Sequence, residues 1–414
     1  MDARAKKVEL LAPAGTPEKL DIAIHYGADA VYLAGKDFSL RNFSANFSRQ
    51  EMRAARKLTH EKNVRMYVAV NIYPRDREAE AIADYLDFLQ TIEPDALIVA
   101  DPGIFAQARQ QLPEIPLHVS TQANTTNTAA ARFWKGLGAT RINAARELNL
   151  EEIRRMCAHG GVEVETFVHG AMCMAYSGRC LLSNYLAGRD SNRGKCCQPC
   201  RFHYTVMEAT RPGQHFPIAE DARGAYLFNS RDLCMIAHLP ALIEAGICGL
   251  KIEGRMKSVH YLAGVVKVYR EAIDAWYRAP KGYEVKDRWL AELAAISHRG
   301  YSTGFYFGDA DQTKSNWDNL IHPGHRFVAQ VVGPAAGGGA KVLVKNRILT
   351  GDRVSVLSPG VPAWEDVIRT ITDDYGTPQA KAQPGFQVTV HTDRPLRRMD
   401  LIRSPAEGAG KDPS

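Results

Sequence analysis

Eight short apolar segments rich in β-branched residues alternate with amphipathic segments over the first 255 residues. The apolar segments are VELLAPAG (8–15), DAVYLAG (29–35), RMYVAVN (65–71), DALIVAD (95–101), LHVSTQ (117–122), TRINAAR (140–146), VEVETFVHG (162–170) and CGLKIEGR (248–255). The segments between them, such as EAEAIADYLDFLQTI (78–92), carry apolar residues at helical spacing. Strand–helix alternation predicts a parallel sheet of the α/β class. Eight repeats predict that the sheet closes into a (β/α)8 TIM-like barrel over residues 1–315.

The seventh and eighth predicted strands are separated by residues 170–247. This connection is much longer than a strand–helix–strand crossover requires. We therefore expect a cysteine-bearing insertion before strand 8, at the end of the barrel where active sites form. Within the insertion, ATRPGQHFPIAEDARGAYLFNSRDL (209–233) is expected to form a small β excursion before a helix over RDLCMIAHLPALIEAG (231–246).

The pattern changes in the last quarter of the chain. SVHYLAGVVKVYREAIDAWYRA (258–279) predicts a long helix, whereas residues 322–360 show short alternating strands and glycine turns. The change predicts a small all-β domain over residues 322–403, interpreted as a β-barrel. The last residues, 404–414, are expected to form a disordered tail.

The composition and the N-terminal segment indicate the cellular compartment of the protein and the charge of its partners. The N-terminus, MDARAKKVELLAPAG, has no long apolar stretch, and no run of about 18 apolar residues occurs. We therefore expect no secretory signal and no membrane contact, and a cytoplasmic protein whose thiols stay mostly reduced. The net charge of +6 is compatible with a polyanionic partner without being diagnostic of one.

Five of the eight cysteines lie close together, with the spacing Cys173-x6-Cys180-x15-Cys196-Cys197-x2-Cys200. A disulfide is disfavoured, because clustered cytosolic thiols more often bind metal or perform chemistry. A zinc ribbon prefers two CxxC pairs, and only Cys197 and Cys200 have that spacing. A thiol oxidoreductase places its CxxC at a helix start, unlike this polar loop. An iron–sulfur cluster needs four thiolates with fewer demands on spacing. Cluster, zinc and redox-active thiols all stay open on spacing alone.

Cationic side chains surround these thiols, against the single acid Asp190: Arg179, Arg189, Arg193, Lys195 and Arg201. Nearby cations favour thiolate over thiol and offset the negative charge of a thiolate-ligated cluster. They also suit a phosphate backbone or a small dicarboxylate, which arginine binds through two parallel hydrogen bonds. The alternative is a solvated loop whose arginines only keep it soluble.

Polar residues follow most of the predicted strands: Asn71, Asp101, Gln122, Arg146, His169, Glu253 and Arg255. Any one of them could simply terminate its strand. Together they favour an active site, because active sites of such barrels form at the carboxyl ends of the strands.

The sequence lacks two motifs that are typical of hydrolases and peptidases. HEKNV (60–64) lacks the second histidine of an HExxH zinc site, and no GxSxG nucleophile elbow occurs. A pairing of His169 with Cys173 is conceivable. A thiol crowded by other thiols is better explained as a ligand than as a nucleophile.

Several strings together resemble one known family: ELLAPAGTPEKLDIAIHYGADAVYLAGKDFSLR, FVHGAMCMAYSGRCLLSNYLAGRDSNRGKCCQPCR, NSRDLCMI, KIEGRMKSVHY and HRGYSTGF. The family is the bacterial collagenase-like peptidases, and the resemblance covers nearly the whole chain. Within it, the chain is most similar to the prephenate-dependent tRNA hydroxylation proteins, which help convert wobble uridine to 5-hydroxyuridine. Relatives hydroxylate a ribosomal RNA cytidine or a ubiquinone precursor without oxygen, and others are described as collagenases.

The resemblance implies a cofactor and two partners. The family's cysteines correspond to Cys173, Cys180, Cys196 and Cys200, which would hold a [4Fe–4S] cluster. The family's CxxxC spacing selects Cys196 over its neighbour Cys197. The implied co-substrate is prephenate, and the implied macromolecular partner is tRNA.

We therefore interpret the chain as an iron–sulfur tRNA hydroxylase, with roles assigned from strand-end position and charge. Candidates for the prephenate carboxylates are Arg146, Arg179 and Arg255. Candidates for contacts to the base or for proton transfer are Asn71, Gln122, His169 and Glu253. Candidates for RNA phosphates are Arg189, Arg193, Lys195 and Arg201. The alternatives are a collagenase-like peptidase, a non-catalytic RNA-binding subunit with structural zinc, and a hydroxylase of another RNA or small substrate.

Overall fold

A computed structural model describes residues 7–39, 46–173, 175–201, 219–221, 224–226, 231–308 and 324–404. The strands before residue 303 are β1 (Glu9–Pro13), β2 (Ala30–Leu33), β3 (Arg65–Val70), β4 (Ala96–Val99), β5 (Leu117–Val119), β6 (Ala139–Asn143), β7 (Glu163–Ala171), β8 (Ala219–Asp221), β9 (Gly224–Tyr226), β10 (Asp232–Cys234), β11 (Gly249–Ile252) and β12 (Tyr301–Ser302).

Eight of these strands form a closed parallel barrel. Strands β1 to β7 pair in chain order, and β11 pairs in parallel with both β7 and β1. Leu250 of β11 lies opposite Leu10 on one side and Thr166 on the other, which closes the sheet. The predicted α/β class and the (β/α)8 TIM-like barrel are therefore confirmed.

The helices are α1 (Pro17–His25), α2 (Arg49–Glu61), α3 (Ala79–Ile92), α4 (Pro102–Gln111), α5 (Thr128–Gly136), α6 (Leu150–His159), α7 (Leu182–Ala187), α8 (Leu239–Glu244), α9 (Val259–Arg278) and α10 (Asp287–Ala294). Side-chain caps explain several starts. Ser48 and Glu51 form a capping box at α2, and Asn149 and Glu152 form another at α6. Within the described residues, every helix is too short or too polar to span a lipid bilayer.

The apolar core lies on both faces of the barrel strands, because one face contacts the barrel interior and the other contacts the helices. Strands β1, β2, β4 and β5 are buried along their whole length, as expected for parallel strands covered on both faces. One continuous apolar cluster packs the outer face of the sheet against the helices, and a smaller one around Leu11, Tyr67 and Ile98 fills part of the interior.

The expected helix over residues 231–246 is wrong in its first half. Asp232–Cys234 forms β10, which pairs antiparallel with the end of β7, so that Cys234 lies opposite His169. The helix α8 begins only at Leu239, where Pro240 occupies the first turn. Proline is tolerated there but would break a helix that began at residue 231. Pro240 was therefore the sequence signal for the later start.

The strands after residue 323 are β13 (Arg326–Pro334), β14 (Ala340–Val344), β15 (Ile348–Leu349), β16 (Arg353–Leu357), β17 (Trp364–Val367), β18 (Thr370–Thr372), β19 (Lys381–Ala382), β20 (Gln387–His391) and β21 (Leu401–Ser404). Seven of them form one antiparallel sheet in the order β17-β16-β21-β13-β14-β20-β18, and β15 pairs with β19. The expected small all-β domain is present, as a half-barrel whose sheet is open among the described strands. The expected tail lies beyond Ser404, outside the described residues.

The β domain is attached to the barrel through buried polar and apolar contacts. Arg403 forms a buried ion pair with Glu292 of α10, with Nη2 at 2.7 Å from Oε2. The hydroxyl of Tyr26 donates to the carbonyl of Leu357 at 2.9 Å. Leu357 and Leu401 belong to the apolar core of the barrel.

Candidate active site at the carboxyl end of the barrel

A cavity of about 710 Å³ lies at the carboxyl ends of the barrel strands. Its walls and floor come from barrel strands and the loops that follow them, and its roof comes from the insertion before β11. The polar lining residues on the barrel side include Asn71, Gln122, Asn143, Arg146, Lys251, Glu253 and Arg255. We call the segment over residues 173–200 the cysteine loop.

The cysteine loop brings four thiols to one cavity. Cys173, Cys180, Cys196 and Cys200 all line it. Backbone N–H groups point at two of the sulfurs, since Leu182 N lies 3.4 Å from Cys180 Sγ and Gln198 N lies 3.4 Å from Cys196 Sγ. Such N–H groups stabilise negative charge on sulfur, so they suit thiolates.

The adjacent thiol of Cys197 is directed elsewhere. Its sulfur lies 3.2 Å from the hydroxyl of Ser183, a buried residue of α7. Cys197 is not among the described residues that line the cavity. The geometry therefore separates two neighbouring cysteines that the sequence presents as equivalent donors.

Internal hydrogen bonds shape the cysteine loop. The Cys180 backbone N–H donates to Asn192 Oδ1 at 3.2 Å, and Asn192 Nδ2 donates back to the Cys180 carbonyl at 3.1 Å. At the start of the loop, the Ser177 backbone N–H donates to Glu147 Oε1 at 2.6 Å. These contacts hold Cys180 against the cavity independently of any bound group.

An arginine attaches the cysteine loop to the barrel. Arg193 makes a two-pronged ion pair with Glu78, at 2.8 Å and 2.5 Å, and also donates to the carbonyl of Tyr73 at 2.9 Å. The hydrogen bonds with Arg193 lower the pKa of Glu78. Arg193 is thus engaged by the barrel, and its predicted phosphate contact would have to compete with Glu78.

The three remaining cysteines have different surroundings. Burial raises the pKa of Cys157 and of Cys234 to about 11, and raises that of Cys248 further. These thiols are therefore protonated at neutral pH. None of the three is among the described lining residues of the cavity.

Beneath the cavity, charged side chains inside the barrel form a connected network, which we call the floor: Glu9, Arg141, Glu165 and Lys251. Lys251 Nζ lies 2.8 Å from Glu165 Oε1, and Arg141 Nη1 lies 2.6 Å from Glu9 Oε1 and 3.4 Å from Glu165 Oε2. Burial alone would raise the pKa of Glu165, but the charges of Lys251 and Arg141 lower it to about 2. Lys251 also lines the cavity, so the network presents a cation to its interior.

A second arginine lies at the side of the cavity. Arg146 Nη2 is 3.3 Å from Glu253 Oε2, and the guanidinium stacks 4.3 Å from the centre of the Phe167 ring. The Arg146 backbone N–H donates to Ser177 Oγ of the cysteine loop at 3.3 Å. Arg146, Phe167 and Glu253 therefore form one surface of the cavity.

The other predicted cavity residues also meet there. Asn71 Nδ2 donates to Gln122 Oε1 at 3.3 Å, and both side chains line the cavity. Arg255 is buried, lines the same cavity and donates to Ser39 Oγ at 2.6 Å. The structure thus brings together the strand-end residues Asn71, Gln122, Arg146, Glu253 and Arg255. Asp101 is not among the described lining residues, because its side chain caps α4, where Oδ1 accepts from the Ile104 backbone N–H at 3.0 Å.

His169 does not join them. Its side chain is buried among Tyr261, Tyr269 and Tyr301, and neither ring nitrogen has a hydrogen-bond partner in the described structure. Burial lowers its pKa to about 3, so the ring is neutral at neutral pH. It lies outside the described lining of the cavity because β10 covers the end of β7 at this point.

The remaining basic residues lie around the outside of the cysteine loop. Arg179 is exposed, with Nε 2.8 Å from the Tyr73 hydroxyl and 3.1 Å from the Gln122 carbonyl, and is not among the described lining residues. Arg189 donates to the Lys195 carbonyl at 3.2 Å, and Lys195 is exposed. The side chain of Arg201 lies outside what the structure describes.

Lys251 and Asn143 are two of the lining residues that the sequence reasoning missed. Lys251 stands in the middle of an apolar strand, and a charge there is a signal of a buried ionic partner. Asn143, at the end of β6, is buried with Oδ1 lacking a hydrogen-bond partner in the described structure, so it offers an acceptor to the cavity. Asn143 is a polar residue at the end of a strand, which is the same signal that identified the other candidate residues.

The thiols of the cavity form a donor set that suits one kind of metal group. Four thiols on one cavity, two of them receiving backbone N–H groups, fit a thiolate-ligated iron–sulfur cluster. Among the described residues, no three His, Cys, Asp or Glu side chains form a group that could hold a single metal ion.

Comparison with known proteins identifies the family. The model of Peptidase family U32 matches residues 15–316, and the model of the Peptidase family U32 C-terminal domain matches residues 323–403. The chain belongs to peptidase family U32. The family assignment agrees with the resemblance drawn from the sequence.

Individual U32 relatives carry two kinds of name. The "tRNA hydroxylation protein P1" of Bacillus subtilis is 37% identical over 92% of this chain and 91% of its own length. A "Collagenase" of Porphyromonas gingivalis is 33% identical over 95% of this chain and 97% of its own length. The solved structure of the U32 peptidase Mk0906 matches with 16% identity and a TM-score of 0.41, over 61% of this chain and 96% of that one. One curated relative is thus named for tRNA hydroxylation and another as a collagenase. As a member of a peptidase family with such relatives, the chain is an enzyme.

Proposed function

We propose that this U32 protein is a tRNA-modifying enzyme that hydroxylates wobble uridine to 5-hydroxyuridine, with prephenate as co-substrate and a [4Fe–4S] cluster in its cavity. The observation that carries the proposal is the convergence of Cys173, Cys180, Cys196 and Cys200 on one cavity at the carboxyl end of the barrel. The Bacillus subtilis relative is named for tRNA hydroxylation and aligns with 92% of this chain, which supports tRNA as the substrate.

In this proposal Cys173, Cys180, Cys196 and Cys200 hold the cluster. When bound, the cluster supplies redox or oxygen-transfer chemistry that amino-acid side chains do not perform. The backbone N–H groups of Leu182 and Gln198 stabilise the thiolate form of two ligands. The hydrogen bonds between Cys180 and Asn192 keep one ligand in place before the others are engaged.

The cations of the cavity would bind the two carboxylates of prephenate. Arg146, Lys251 and Arg255 line the cavity, and arginine binds carboxylate through two parallel hydrogen bonds. A carboxylate at Arg146 would compete with Glu253, which holds the same guanidinium at 3.3 Å. The displaced Glu253 would then be able to accept a proton in the cavity. Arg179 would act only if it left Tyr73 and turned inward.

The amide side chains would position the uracil base. Asn71, Gln122 and Asn143 line the cavity, and amides can accept from and donate to the imide edge of uracil. The unpartnered Oδ1 of Asn143 is an acceptor for such a base. His169 would contribute by packing behind the cavity, since its ring is buried among tyrosines.

The peptidase alternative is favoured by the collagenase name of the Porphyromonas gingivalis relative. A cysteine peptidase needs a histidine that activates its thiol. His169, the histidine that the sequence analysis pairs with Cys173, is buried without a hydrogen-bond partner in the described structure. The thiol arrangement is better explained by ligation than by a nucleophile and its base.

The proposed function is tested by nucleoside mass spectrometry of tRNA from a deletion strain complemented with variants. The wild-type gene should restore 5-hydroxyuridine, and Cys180→Ser should not. Cys157→Ser is the matched control, because that thiol is half-buried in α6 outside the described cavity lining, and it should restore the nucleoside. An unchanged level of 5-hydroxyuridine in the deletion strain, with no second enzyme producing it, would contradict the proposal.

A further inference from the structure

The mouth of the cavity carries exposed apolar and aromatic side chains that the chemistry above does not use. On α7 and at its N-terminal boundary, Leu181 is 71% exposed and Tyr185 is 86% exposed. Leu186 and, across the cavity in the loop after β11, Met256 are exposed as well. We call Leu181, Tyr185, Leu186 and Met256 the rim. Such exposure of large apolar side chains in one place indicates an interaction surface.

Helix geometry places the rim directly beside the cavity. Leu181 and Tyr185 are four residues apart and share one side of the helix, as do Leu182 and Leu186. Leu182 lines the cavity, and so does Met256. Tyr185 follows the lining residue Leu182 by three positions on the same short helix, so its exposed ring lies close to the cavity.

The charges around the rim indicate the chemistry of the partner. Arg179 and Lys195 are exposed on the same loop, and Arg189 is half-buried beside Lys195. Asp190 is the only acidic residue between Ser177 and Arg201. An exposed aromatic ring within a cationic surface is the arrangement by which proteins bind single-stranded nucleic acid, since bases stack on the ring and phosphates meet the cations.

We propose that the rim is the binding platform for a single-stranded RNA loop, with a base stacked on Tyr185 next to the nucleotide that enters the cavity. The proposal rests on the proposed function and deepens it, because it assigns the residues that receive the RNA loop. The half-exposed cysteine loop then has two surfaces, with thiols on the inside and an RNA-binding face on the outside.

The test measures binding rather than hydroxylation. The probe is an unmodified anticodon stem–loop RNA, titrated with the purified wild-type protein and followed by fluorescence anisotropy. Loss of one stacked base changes the free energy of binding by about 1–3 kcal/mol, so Tyr185→Ala should weaken the Kd about 5- to 150-fold. Tyr185→Phe should stay within about twofold of wild type, because stacking uses the ring face and not the hydroxyl.

The chain offers a matched control and an independent readout. Tyr375 is 94% exposed in the β domain, and Tyr375→Ala should leave the Kd unchanged. Tyr185→Ala should also leave the salt dependence of binding unchanged, since no charge is removed. Lys195→Ala should reduce the slope of log K against log salt by about one, as expected for one lost phosphate contact.

The outcomes separate this inference from the proposed function. If wild-type protein binds no stem–loop RNA, the proposed function fails together with the rim. If wild-type protein binds and Tyr185→Ala binds equally well, only the rim is overturned. If Tyr185→Ala instead changes the oligomeric mass measured by light scattering without changing the Kd, the rim is a contact between protein copies and the inference is wrong.

Discussion

The floor and the cysteine loop face each other across one cavity, yet they are stabilised in different ways. The floor consists of buried charges that pair with one another, such as Lys251 with Glu165 at 2.8 Å. The cysteine loop is half-exposed, and its contacts with the barrel include the ion pair of Arg193 with Glu78, whose side chains are 20% and 22% exposed. The floor is therefore fixed by the fold itself, whereas the cysteine loop gains further order from whatever its thiols bind.

The largest effect is expected from the thiol that faces the cavity. Cys196→Ser removes a proposed cluster ligand and should lower 5-hydroxyuridine formation at least about 100-fold, because metal sites depend on every ligand. Cys197→Ser should keep activity within about twofold, since serine can retain the contact with Ser183. Nucleoside mass spectrometry of tRNA from complemented strains measures both. A larger loss in Cys197→Ser would show that Cys197 is the ligand, and equal losses would contradict the distinction between the two thiols.

The next effect concerns stability of the floor. Glu165→Gln leaves the charges of Lys251 and Arg141 without their shared buried carboxylate, and should lower the free energy of unfolding by about 3–5 kcal/mol. Glu163→Gln is the control, since Glu163 pairs with the same Arg141 but its side chain is 42% exposed. It should cost less than about 1 kcal/mol. Chemical unfolding checks both, and similar losses would contradict the proposed role of burial.

A smaller effect should appear as a dependence on pH. Burial lowers the pKa of His169 to about 3 in the folded protein, whereas an unfolded histidine has a pKa of about 6.5. Between these values only the unfolded state binds the proton, so stability falls as the pH decreases from 6.5 towards 3. His169 should account for about 2 kcal/mol of the loss between pH 7 and pH 5. His169→Phe should reduce the loss by that amount in urea unfolding at pH 7 and pH 5, and an unchanged loss would contradict the burial of this ring.

The smallest effect is expected where the cysteine loop meets the barrel. Arg193→Ala removes the ion pair with Glu78 and should loosen the loop by about 1 kcal/mol. Hydrogen–deuterium exchange over residues 173–200 should then become about fivefold faster, with exchange in the barrel strands unchanged. Arg179→Ala is the control, because Arg179 is exposed and should change exchange less. Faster exchange in the floor as well would show that the two regions are not independent.

The barrel was predictable because parallel strands buried on both faces leave continuous apolar runs in the sequence. Strand β10 was not, since Asp232–Cys234 is three residues long and is defined by pairing with β7 and β12. Only Pro240 in the sequence indicated that the helix begins later. The half-barrel was predictable as an all-β domain, but strand order depends on long-range pairing that periodicity does not encode.

Parts of the site were predictable for the same physical reason. A polar residue at the end of a strand is correctly predicted to lie at the carboxyl end of the barrel. Whether its side chain reaches the cavity depends on the direction of that side chain and on whether another segment of the chain packs over it. Gln122 and Arg146 reach it, whereas His169 is covered by β10. Lys251 and Glu165 form their ion pair only when β7 and β11 become neighbours through closure. The contrast between Cys196 and Cys197 likewise depends on Ser183, which only the folded loop brings close.

The central claim is that the four thiols of the cysteine loop bind an iron–sulfur cluster above the barrel. Its most direct test is the iron, sulfide and zinc content of protein purified without air, measured for wild type and for Cys180→Ser. The account predicts about four iron and four sulfide per chain in wild type, and little of either in the variant. Colourless wild-type protein that contains zinc but no iron or sulfide would contradict it.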